Sequence, residues 1–305
     1  MHTPRIAAVV VTYNRLPLLR RCLAALAACR AACPGAALDL WVIDNASTDG
    51  TGAAMAAWAD PGLVYRSTGR NLGGAGGFAW GLRAAAARGY DFYWLMDDDT
   101  LPEPGALAAL LAADRALGGG YGWLSSRALT PEGADQPMNR QRATPYRDIP
   151  GYDAPHIPSV MASFVSLFLP GAVVRAFGLP VAEFFIWSDD WEYTRRISRA
   201  RPCYTVPASR VVHAMQRATP CNIALDTPDR WERYRYFYRN DVVLYRREGL
   251  RGWLWLLAKD AWHSLQVLLR PGPRKGYRLG IIWGGFAAGL RFRPALPALD
   301  PQETP

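Results

Sequence analysis

Three consecutive carboxylates, Asp97, Asp98 and Asp99, follow the apolar residues 93–96, a run that is typical of a buried strand. Carboxylates this close together repel one another unless a positive group lies on them. If the strand geometry continues, Asp97 and Asp99 point to the same face, because side chains alternate along a strand. Two carboxylates on one face suit a divalent cation such as Mg²⁺ or Mn²⁺. A solvated acidic turn is the alternative, but the partners described below favour a metal site.

A second acidic group repeats this design further along the chain. The apolar residues 184–187 lead into Ser188, Asp189 and Asp190, and a helix is predicted from there to about Arg199. Capping of that helix by Ser188 or Asp189 is one explanation for the polar residues. The other is that one carboxylate acts as a general base towards an incoming hydroxyl group. Such a base must lie near the cation without being one of its ligands.

Two further residue types suit the same site. His213 follows the apolar pair Val211 and Val212. A histidine in such a place is most often structural, but beside two carboxylates that lack a third ligand a neutral imidazole is a suitable metal ligand. Trp187 and Trp191 lie in and beside the second acidic group and offer flat faces on which a sugar ring could stack.

The elements that must position these residues alternate between strands and helices. Strands are predicted at residues 6–12, 38–43 and 63–66, a fourth ends at Asp97, and helical segments separate them. This order predicts an α/β fold with a mostly parallel sheet flanked by helices. Ligands bind beyond the carboxyl ends of such strands. Polar residues follow each strand: Tyr13, Asn14 and Arg15; Asp44 and Asn45; Arg70 and Asn71; and the three aspartates.

The glycine-rich residues 69–77 match neither a dinucleotide fingerprint nor a phosphate-binding P-loop, because the required positions and the Lys-Ser/Thr pair are missing. Two explanations remain: a tight turn with a flexible backbone, or close approach of the main chain to a ligand at a helix N-terminus. Further on, residues 118–158 are rich in Gly, Pro and Arg and are predicted to be irregular, with short strands.

The composition suits one large α/β domain, with or without a tail, because half of the 305 residues are hydrophobic and a fifth are charged. The five cysteines lack paired spacing, so neither a zinc site nor a disulfide framework is predicted, and Cys22 and Cys29 are expected to be small buried residues. The chain opens on a strand without a secretory signal, and no apolar run is long enough to span a bilayer. These features predict a cytoplasmic setting, with the inner face of the cell membrane as an alternative location.

Most of the net charge of +9 lies in residues 219–305, a helical, basic and Trp-rich region that follows a first domain of residues 1–218. Between residues 230 and 293 there are 14 Lys and Arg against 4 Asp and Glu. Basic residues beside Trp-rich apolar faces favour docking on an anionic membrane surface. Ordinary packing against the first domain is the alternative. Nucleic-acid binding is not predicted, because no recognised binding module accompanies the arginines.

Taken in order, six motifs over residues 6 to about 215 resemble the family 2 glycosyltransferases with the GT-A fold. They are VVVTYNR (residues 9–15), VIDNASTDGT (42–51), RNLGGAGGF (70–78), MDDDT (96–100), SDDWEY (188–193) and VVH (211–213). The pairing of NLGGAGGF with the later GYDFYWLMDDD is most similar to the bacterial galactofuranosyltransferase branch.

The resemblance implies a role for each matching residue. Asp97 and Asp99 would bind the metal with His213 as third ligand, and Asp190 would be the catalytic base. The nucleotide and its diphosphate would contact Thr12, Tyr13, Arg15, Asp44, Asn71 and Asp98. The donor or acceptor sugar would contact Trp187, Asp189 and Glu192. Asp189 departs from the commoner pattern, in which many members have Glu.

The implied reaction is an inverting displacement that depends on Mn²⁺ or Mg²⁺. Asp190 would deprotonate the acceptor hydroxyl, which attacks the anomeric carbon of a nucleotide-sugar donor while the cation stabilises the departing nucleoside diphosphate. The resemblance favours galactofuranose, moved from a UDP donor onto a cell-surface glycan or a lipid-linked acceptor. A rhamnosyltransferase that uses dTDP-rhamnose, and a non-catalytic protein that binds nucleotide sugars or glycans, are the alternatives.

Overall fold

The computed structural model describes residues 3–215 and 221–299. Within them the strands are β1 (Arg5–Thr12), β2 (Ala37–Asp44), β3 (Leu63–Ser67), β4 (Phe92–Asp97), β5 (Thr100–Pro102), β6 (Leu124–Leu129), β7 (Arg142–Thr144), β8 (Arg147–Asp148), β9 (Ile157–Pro158), β10 (Leu167–Pro170) and β11 (Tyr204–His213). The α-helices are α1 (Leu16–Ala32), α2 (Thr51–Ala56), α3 (Gly73–Ala86), α4 (Ala106–Leu117), α5 (Gly171–Phe177), α6 (Asp189–Ser198), α7 (Tyr234–Arg246), α8 (Gly249–Leu269) and α9 (Lys275–Arg291). Short 3₁₀ helices occupy Pro137–Asn139, Ala182–Phe184 and Pro228–Arg233.

One sheet dominates the fold, with the strand order β3-β2-β1-β4-β10-β6-β11-β5 and with β9 added against β11. The half made of β3, β2, β1 and β4 is parallel. In the other half β10 runs antiparallel between β4 and β6, while β11 is parallel to β6 and antiparallel to β5. The predicted α/β fold is confirmed, with a parallel half and a mixed half.

Burial on both faces explains why β1 is an unbroken apolar run. Ile6, Ala8 and Val10 pack under α1, α2 and α4, whereas Ala7 and Val9 pack under α3, α5 and α6. Helices therefore cover both sides of the sheet, as parallel strands require. Cys22 and Cys29 belong to the first layer and all five cysteines are free, in agreement with their predicted role as buried small residues.

Residues 118–158 contain two strands of the central sheet, β6 and the short β9. Short strands were predicted in this region, but the sequence pattern does not reveal that β6 lies inside the sheet. Ser125 and Ser126 of β6 point to opposite faces of the sheet and are both buried, where an apolar residue would be expected. The hydroxyl of Ser126 lies 2.6 Å from those of Ser166 and Ser209. Because these hydroxyls satisfy one another, the strand is buried without apolar side chains at those positions.

The C-terminal helices pack against residues 3–215 through α7. Val243 shares a buried cluster with Ala75 and Phe184, and Tyr245 shares another with Met161. The alternative of ordinary packing is thus what α7 shows, whereas α8 keeps an exposed apolar face. Among the helices of residues 3–215 and 221–299, none is both long and apolar enough to cross a bilayer. The domain boundary predicted at residues 218–219 lies outside the described residues.

Candidate active site

The candidate active site lies where β1, β2 and β4 end side by side. Thr12 is level with Asp44, and Val11 is level with Asp97. Because these strands are parallel, their last residues meet at one edge of the sheet, where ligands bind in such folds. Polar residues that are far apart in the sequence are thereby brought together.

Asp97, Asp99 and His213 form a compact group of potential ligands. One ligand atom from each lies within 4.8 Å of the others. The chain turns after Asp97, and the antiparallel pairing of β5 with β11 sets His213 level with Thr100. This pairing brings Nε2 of His213 to 3.0 Å from Oδ1 of Asp99.

The hydrogen bonds of His213 show that the group suits a cation. Its Nδ1 lies 2.7 Å from Oδ1 of Asn139. The amide nitrogen of Asn139 donates to Ser163 Oγ at 3.0 Å, so the imidazole hydrogen belongs on Nδ1. The lone pair of a neutral ring therefore points at the Asp99 carboxylate, and only a proton or a cation between the two makes that contact favourable. Two carboxylates and an imidazole nitrogen are a donor set that fits a divalent cation.

Asn139 was missed by sequence reasoning. It lies in the region predicted to be irregular, and it is 74 positions before His213 in the chain. Nothing in the local sequence marks it. Metal-binding histidines usually donate a hydrogen bond from their second ring N–H to such a partner. An oxygen acceptor was therefore expected, but its position in the chain could not be predicted.

Asp98 is bonded to the end of β1. Its Oδ2 accepts a hydrogen bond from Thr12 Oγ1 at 2.7 Å. Nη1 of Arg15 lies 2.8 Å from Asp99 Oδ2 and 3.4 Å from Asp98 Oδ1, which supplies the positive charge that three carboxylates need. The Arg15 side chain is 52% exposed, so an anionic ligand in the crevice can reach it.

Burial and mutual repulsion set the protonation of the three aspartates. Burial and the neighbouring Asp99 raise the pKa of Asp97 to about 7, and burial raises the pKa of Asp98 to about 6. Burial acts in the same direction on Asp99, but His213 and Arg15 outweigh it and lower the pKa of that carboxyl. The group thus holds a proton near neutral pH, and a bound cation would displace it.

The second acidic group lies close to the first. Burial and the charge of Asp189, together with that of Asp97, raise the pKa of Asp190 well above its usual range. Burial raises the pKa of Asp189 to about 7. Oδ1 of Asp190 accepts a hydrogen bond from the Trp191 backbone at 2.7 Å, which orients the carboxylate. Asp190 is therefore near enough to Asp97 to be affected by its charge, but it is not one of the three potential metal ligands.

Ser188 precedes α6, yet its side chain makes no capping hydrogen bond to the helix. The hydroxyl instead donates to Oδ1 of Asp241 in α7, at 2.6 Å. The capping explanation is wrong for Ser188, because its hydroxyl serves a contact between two helices.

Glu192, in the first turn of α6, is buried and ion-paired. Its side chain is 1% exposed, and its two carboxylate oxygens bind the guanidinium groups of Arg196 and Arg247. Glu192 thus has a buried ion-pair role in this structure, and its contact with a sugar stays a prediction. Trp187 is half-buried, and its ring packs at 4.8 Å from that of Tyr234, so part of its flat surface is used within the protein.

On the other side of the crevice, Asp44 is fixed by its neighbours. The Tyr65 hydroxyl donates to its Oδ2 at 2.7 Å, and the backbone nitrogen of Ser47 donates to its Oδ1 at 2.9 Å. Asp44 is only 1% exposed, whereas Tyr13 is 43% exposed. Tyr65 was not predicted, because it reaches Asp44 from the adjacent strand, a pairing that the sequence of one strand does not show.

The glycine-rich residues 69–77 mostly belong to α3, whose start is set by Asn71 Oδ1, an acceptor for the Gly73 backbone at 2.8 Å. Gly73 has a φ of +71°, and a Cβ there would lie 2.0 Å from the Phe185 carbonyl oxygen. Ala75 donates its backbone hydrogen to that same oxygen at 3.2 Å. The glycines thus permit close approach of α3 to the turn before the second acidic group.

Comparison with known proteins agrees with this fold. Residues 7–142 match the family model described as Glycosyl transferase family 2. Residues 7–142 are therefore similar to a family 2 glycosyltransferase domain, the fold is GT-A-like, and the chain is a glycosyltransferase, as the motifs predicted.

The chain is 28% identical over 312 residues to galactofuranosyltransferase GlfT1 of Mycobacterium tuberculosis, an alignment that covers 90% of this chain and 97% of that protein. Among solved structures, the fold is similar to that of mannosyltransferase PcManGT from Pyrobaculum calidifontis in complex with GDP-Man and Mn²⁺, with a TM-score of 0.54 and 16% sequence identity. The alignment covers 95% of this chain and 76% of the mannosyltransferase chain. The structure of S. aureus TarS 1-349 in complex with UDP matches with a TM-score of 0.52 and 15% identity, and the alignment covers 92% of this chain and 89% of the TarS chain. The two structures establish the shared fold.

Proposed function

We propose that this protein is a metal-dependent, inverting galactofuranosyltransferase that moves galactofuranose from UDP-galactofuranose onto a glycan or lipid-linked acceptor. The observation that carries the proposal is the convergence of Asp97, Asp99 and His213 beside Asp190. The choice of sugar rests on the similarity to a galactofuranosyltransferase over most of both chains. The choice of a nucleotide donor and a cation is supported by the fold shared with proteins solved with UDP and with GDP-Man and Mn²⁺.

In this proposal the two acidic groups have different tasks. Asp97, Asp99 and His213 would hold a divalent cation, which would supply Lewis-acid stabilisation for the leaving diphosphate. Arg15 and the exposed Tyr13 lie on the nucleotide side. The Asp190 carboxylate accepts the proton of the acceptor hydroxyl while the new bond forms between that oxygen and the anomeric carbon. The bond from the anomeric carbon to the phosphate oxygen breaks at the same time, and the sugar configuration inverts.

The raised pKa of Asp190 suits this task. A carboxylate with increased proton affinity is a stronger base, provided that it is ionised at the working pH. Burial supplies the increase, and the neighbouring Asp189 adds to it. Catalysis by a positioned general base is typically worth about 100-fold to 10,000-fold in rate.

The test is a panel of nucleotide sugars, with Mn²⁺ present, in which transfer and donor hydrolysis are followed for the full chain and for Asp190→Asn. We expect UDP-galactofuranose to be the preferred donor and the variant to lose at least about 100-fold in turnover, with Mn²⁺-UDP affinity preserved. Preference for dTDP-rhamnose would identify the runner-up activity, and binding without turnover in the unmodified protein would identify a non-catalytic binder. Full turnover by Asp190→Asn would reject the assigned base.

The same proposal includes docking on the cytoplasmic face of an anionic membrane, because α8 exposes an apolar stripe along its outer side. Its members include Leu250 (75% exposed), Leu254 (59%), Leu257 (42%), Trp262 (57%), Leu265 (43%), Leu268 (52%) and Leu269 (74%). The stripe extends over about 30 Å of helix. Exposed residues Arg251 and Arg270 lie near its two ends, and a basic rim around an apolar face favours anionic lipid.

Co-sedimentation with phosphatidylglycerol vesicles tests this docking. The double variant Leu254→Glu with Trp262→Glu should stay in the supernatant at a vesicle concentration that sediments the unmodified protein. Leu296→Glu is the matched control, because Leu296 is 48% exposed but lies outside α8. Equal sedimentation of the double variant and the unmodified protein would exclude α8 as the membrane contact.

A further inference from the structure

The turn that delivers the second acidic group to the site is strained. Phe185, Trp187 and Ser188 have φ values of +64°, +66° and +62°. This left-handed region is unfavourable for residues with a Cβ. Three such residues in four positions persist only if the surroundings hold them. The next two residues of the chain are Asp189 and Asp190, so whatever holds the turn also positions the proposed base.

Asn240 of α7 is the main support of this turn. Its side-chain nitrogen lies 3.0 Å from the carbonyl oxygen of Phe184, 3.2 Å from that of Ile186 and 3.0 Å from that of Trp187. The amide has two hydrogens to donate, so at least one is shared between two carbonyls. Its oxygen accepts from Nη2 of Arg239 at 2.9 Å, and the residue is fully buried. The side chain is therefore locked from both ends.

Asp241, the next residue of α7, holds the end of the same turn. Its Oδ1 accepts from the Ser188 hydroxyl at 2.6 Å, and its Oδ2 forms a short ion pair with Lys259 of α8. The Lys259 side chain is 15% exposed and Asp241 is 3% exposed. A buried carboxylate needs such a partner, so the ion pair with Lys259 holds Asp241 in place beside Ser188.

On the side opposite α7, the turn contacts the start of α3. The Phe185 carbonyl accepts from the Ala75 backbone at 3.2 Å, at the start of α3. The turn is thus clamped between α3, which belongs to the parallel half of the fold, and α7. Loss of the hydrogen bonds from Asn240 and Asp241 would therefore shift Asp190 relative to Asp97, while the strand ends stay in place.

We propose that Asn240 is a positioning residue for the glycosyl transfer: it holds the turn at residues 184–188 so that the Asp190 carboxylate faces the metal ligands, with Asp241 and Lys259 securing Ser188. This inference rests on the proposed function, because it assumes that Asp190 is the base. It assigns to the C-terminal helices a part in the chemistry as well as in packing.

Asn240→Asp tests the inference, since it preserves size and the oxygen that Arg239 binds but removes the hydrogens that the turn carbonyls accept. We expect kcat to fall by about 100-fold, the effect of a displacement near 1 Å on a reacting group, while the donor KM and the Mn²⁺-UDP affinity stay within about threefold. Ser188→Ala, which removes one hydroxyl, should show the same split with a smaller loss of kcat. A purely structural role would lower the thermal midpoint and leave kcat per folded molecule unchanged.

The matched control is Asn222→Asp, because Asn222 is also a buried asparagine of the C-terminal region but bonds to Gln266 and not to the turn. Its kcat should equal that of the unmodified protein. Unchanged kcat in Asn240→Asp, or a parallel loss of Mn²⁺-UDP affinity, overturns the inference. If Asn240→Asp does not fold, Ser188→Ala decides by the same criteria. Absence of transfer by the unmodified protein would instead refute the proposed function.

Discussion

The bond between Asn139 and His213 gives a sharp prediction about metal affinity. With Asn139 in place, the imidazole hydrogen stays on Nδ1, and Nε2 offers its lone pair beside Asp99. In Asn139→Ala that constraint disappears, and the ring can place its hydrogen on Nε2, donating to Asp99 Oδ1 across the 3.0 Å contact. A cation must then displace this hydrogen bond before it gains its third ligand. Loss of such a support typically weakens metal binding about 10-fold to 100-fold, or about 1.4 to 2.7 kcal/mol.

Isothermal calorimetry with Mn²⁺ in the presence of UDP measures this effect. Asn139→Asp keeps an oxygen acceptor facing Nδ1 and should bind Mn²⁺ at least as tightly as the unmodified protein. Ser163→Ala removes the other hydrogen bond of Asn139 and should have the smaller effect. His213→Ala sets the scale, because it removes the ligand itself. The reasoning is refuted if Asn139→Ala binds Mn²⁺ with unchanged affinity while His213→Ala does not.

Two further predictions concern pH and packing. Because the pKa of Asp97 is raised to about 7, Mn²⁺ must displace a proton from this carboxyl at lower pH. The affinity for Mn²⁺ should therefore fall by up to about 10-fold per pH unit below 7 and level off above it. Calorimetry between pH 5.5 and 8.5 measures this dependence, and a flat profile would contradict it. Gly77→Ala would place a Cβ 2.6 Å from Val11 Cγ1 and should lower the free energy of unfolding by about 1 to 3 kcal/mol in urea denaturation. In Gly74→Ala, which meets nothing within 4 Å, the same measurement should show no loss; equal values for the two variants would count against this packing argument.

Strand-end chemistry could be predicted from the sequence because it is local. The apolar run before Asp97 and the alternation of side chains on a strand were enough to pair Asp97 with Asp99. The parallel sheet then implied that Asp44 and Thr12 would lie nearby. Each of these inferences needs only a few neighbouring residues and the rule that ligands bind at the carboxyl edge of such a sheet.

The partners that hold the site in position could not be predicted in this way. Asn139 and Asn240 come from segments that are remote in sequence from the groups they bind, and an isolated asparagine has no pattern. Glu192 is the reverse case, because a motif marks it but does not reveal its contacts. It lies in a motif whose neighbours are at the candidate site, but its carboxylate pairs with Arg196, one helical turn further on, and with Arg247. Motif membership gave its approximate place, and only the helix orientation determined its contacts.

The two faces of α8 make the C-terminal region inseparable from the rest of the chain. Leu254 and Trp262 point outward, while Lys259, on the same helix, neutralises the carboxylate that anchors Ser188. A shortened protein that stops before residue 221 would lack α7, which covers Ala75 and Phe184, and would expose this apolar surface to solvent. Expression of an isolated N-terminal fragment should therefore produce an aggregating or inactive product, and chimaeras that exchange substrate specificity between relatives need to transfer α7 and α8 together with the turn they support.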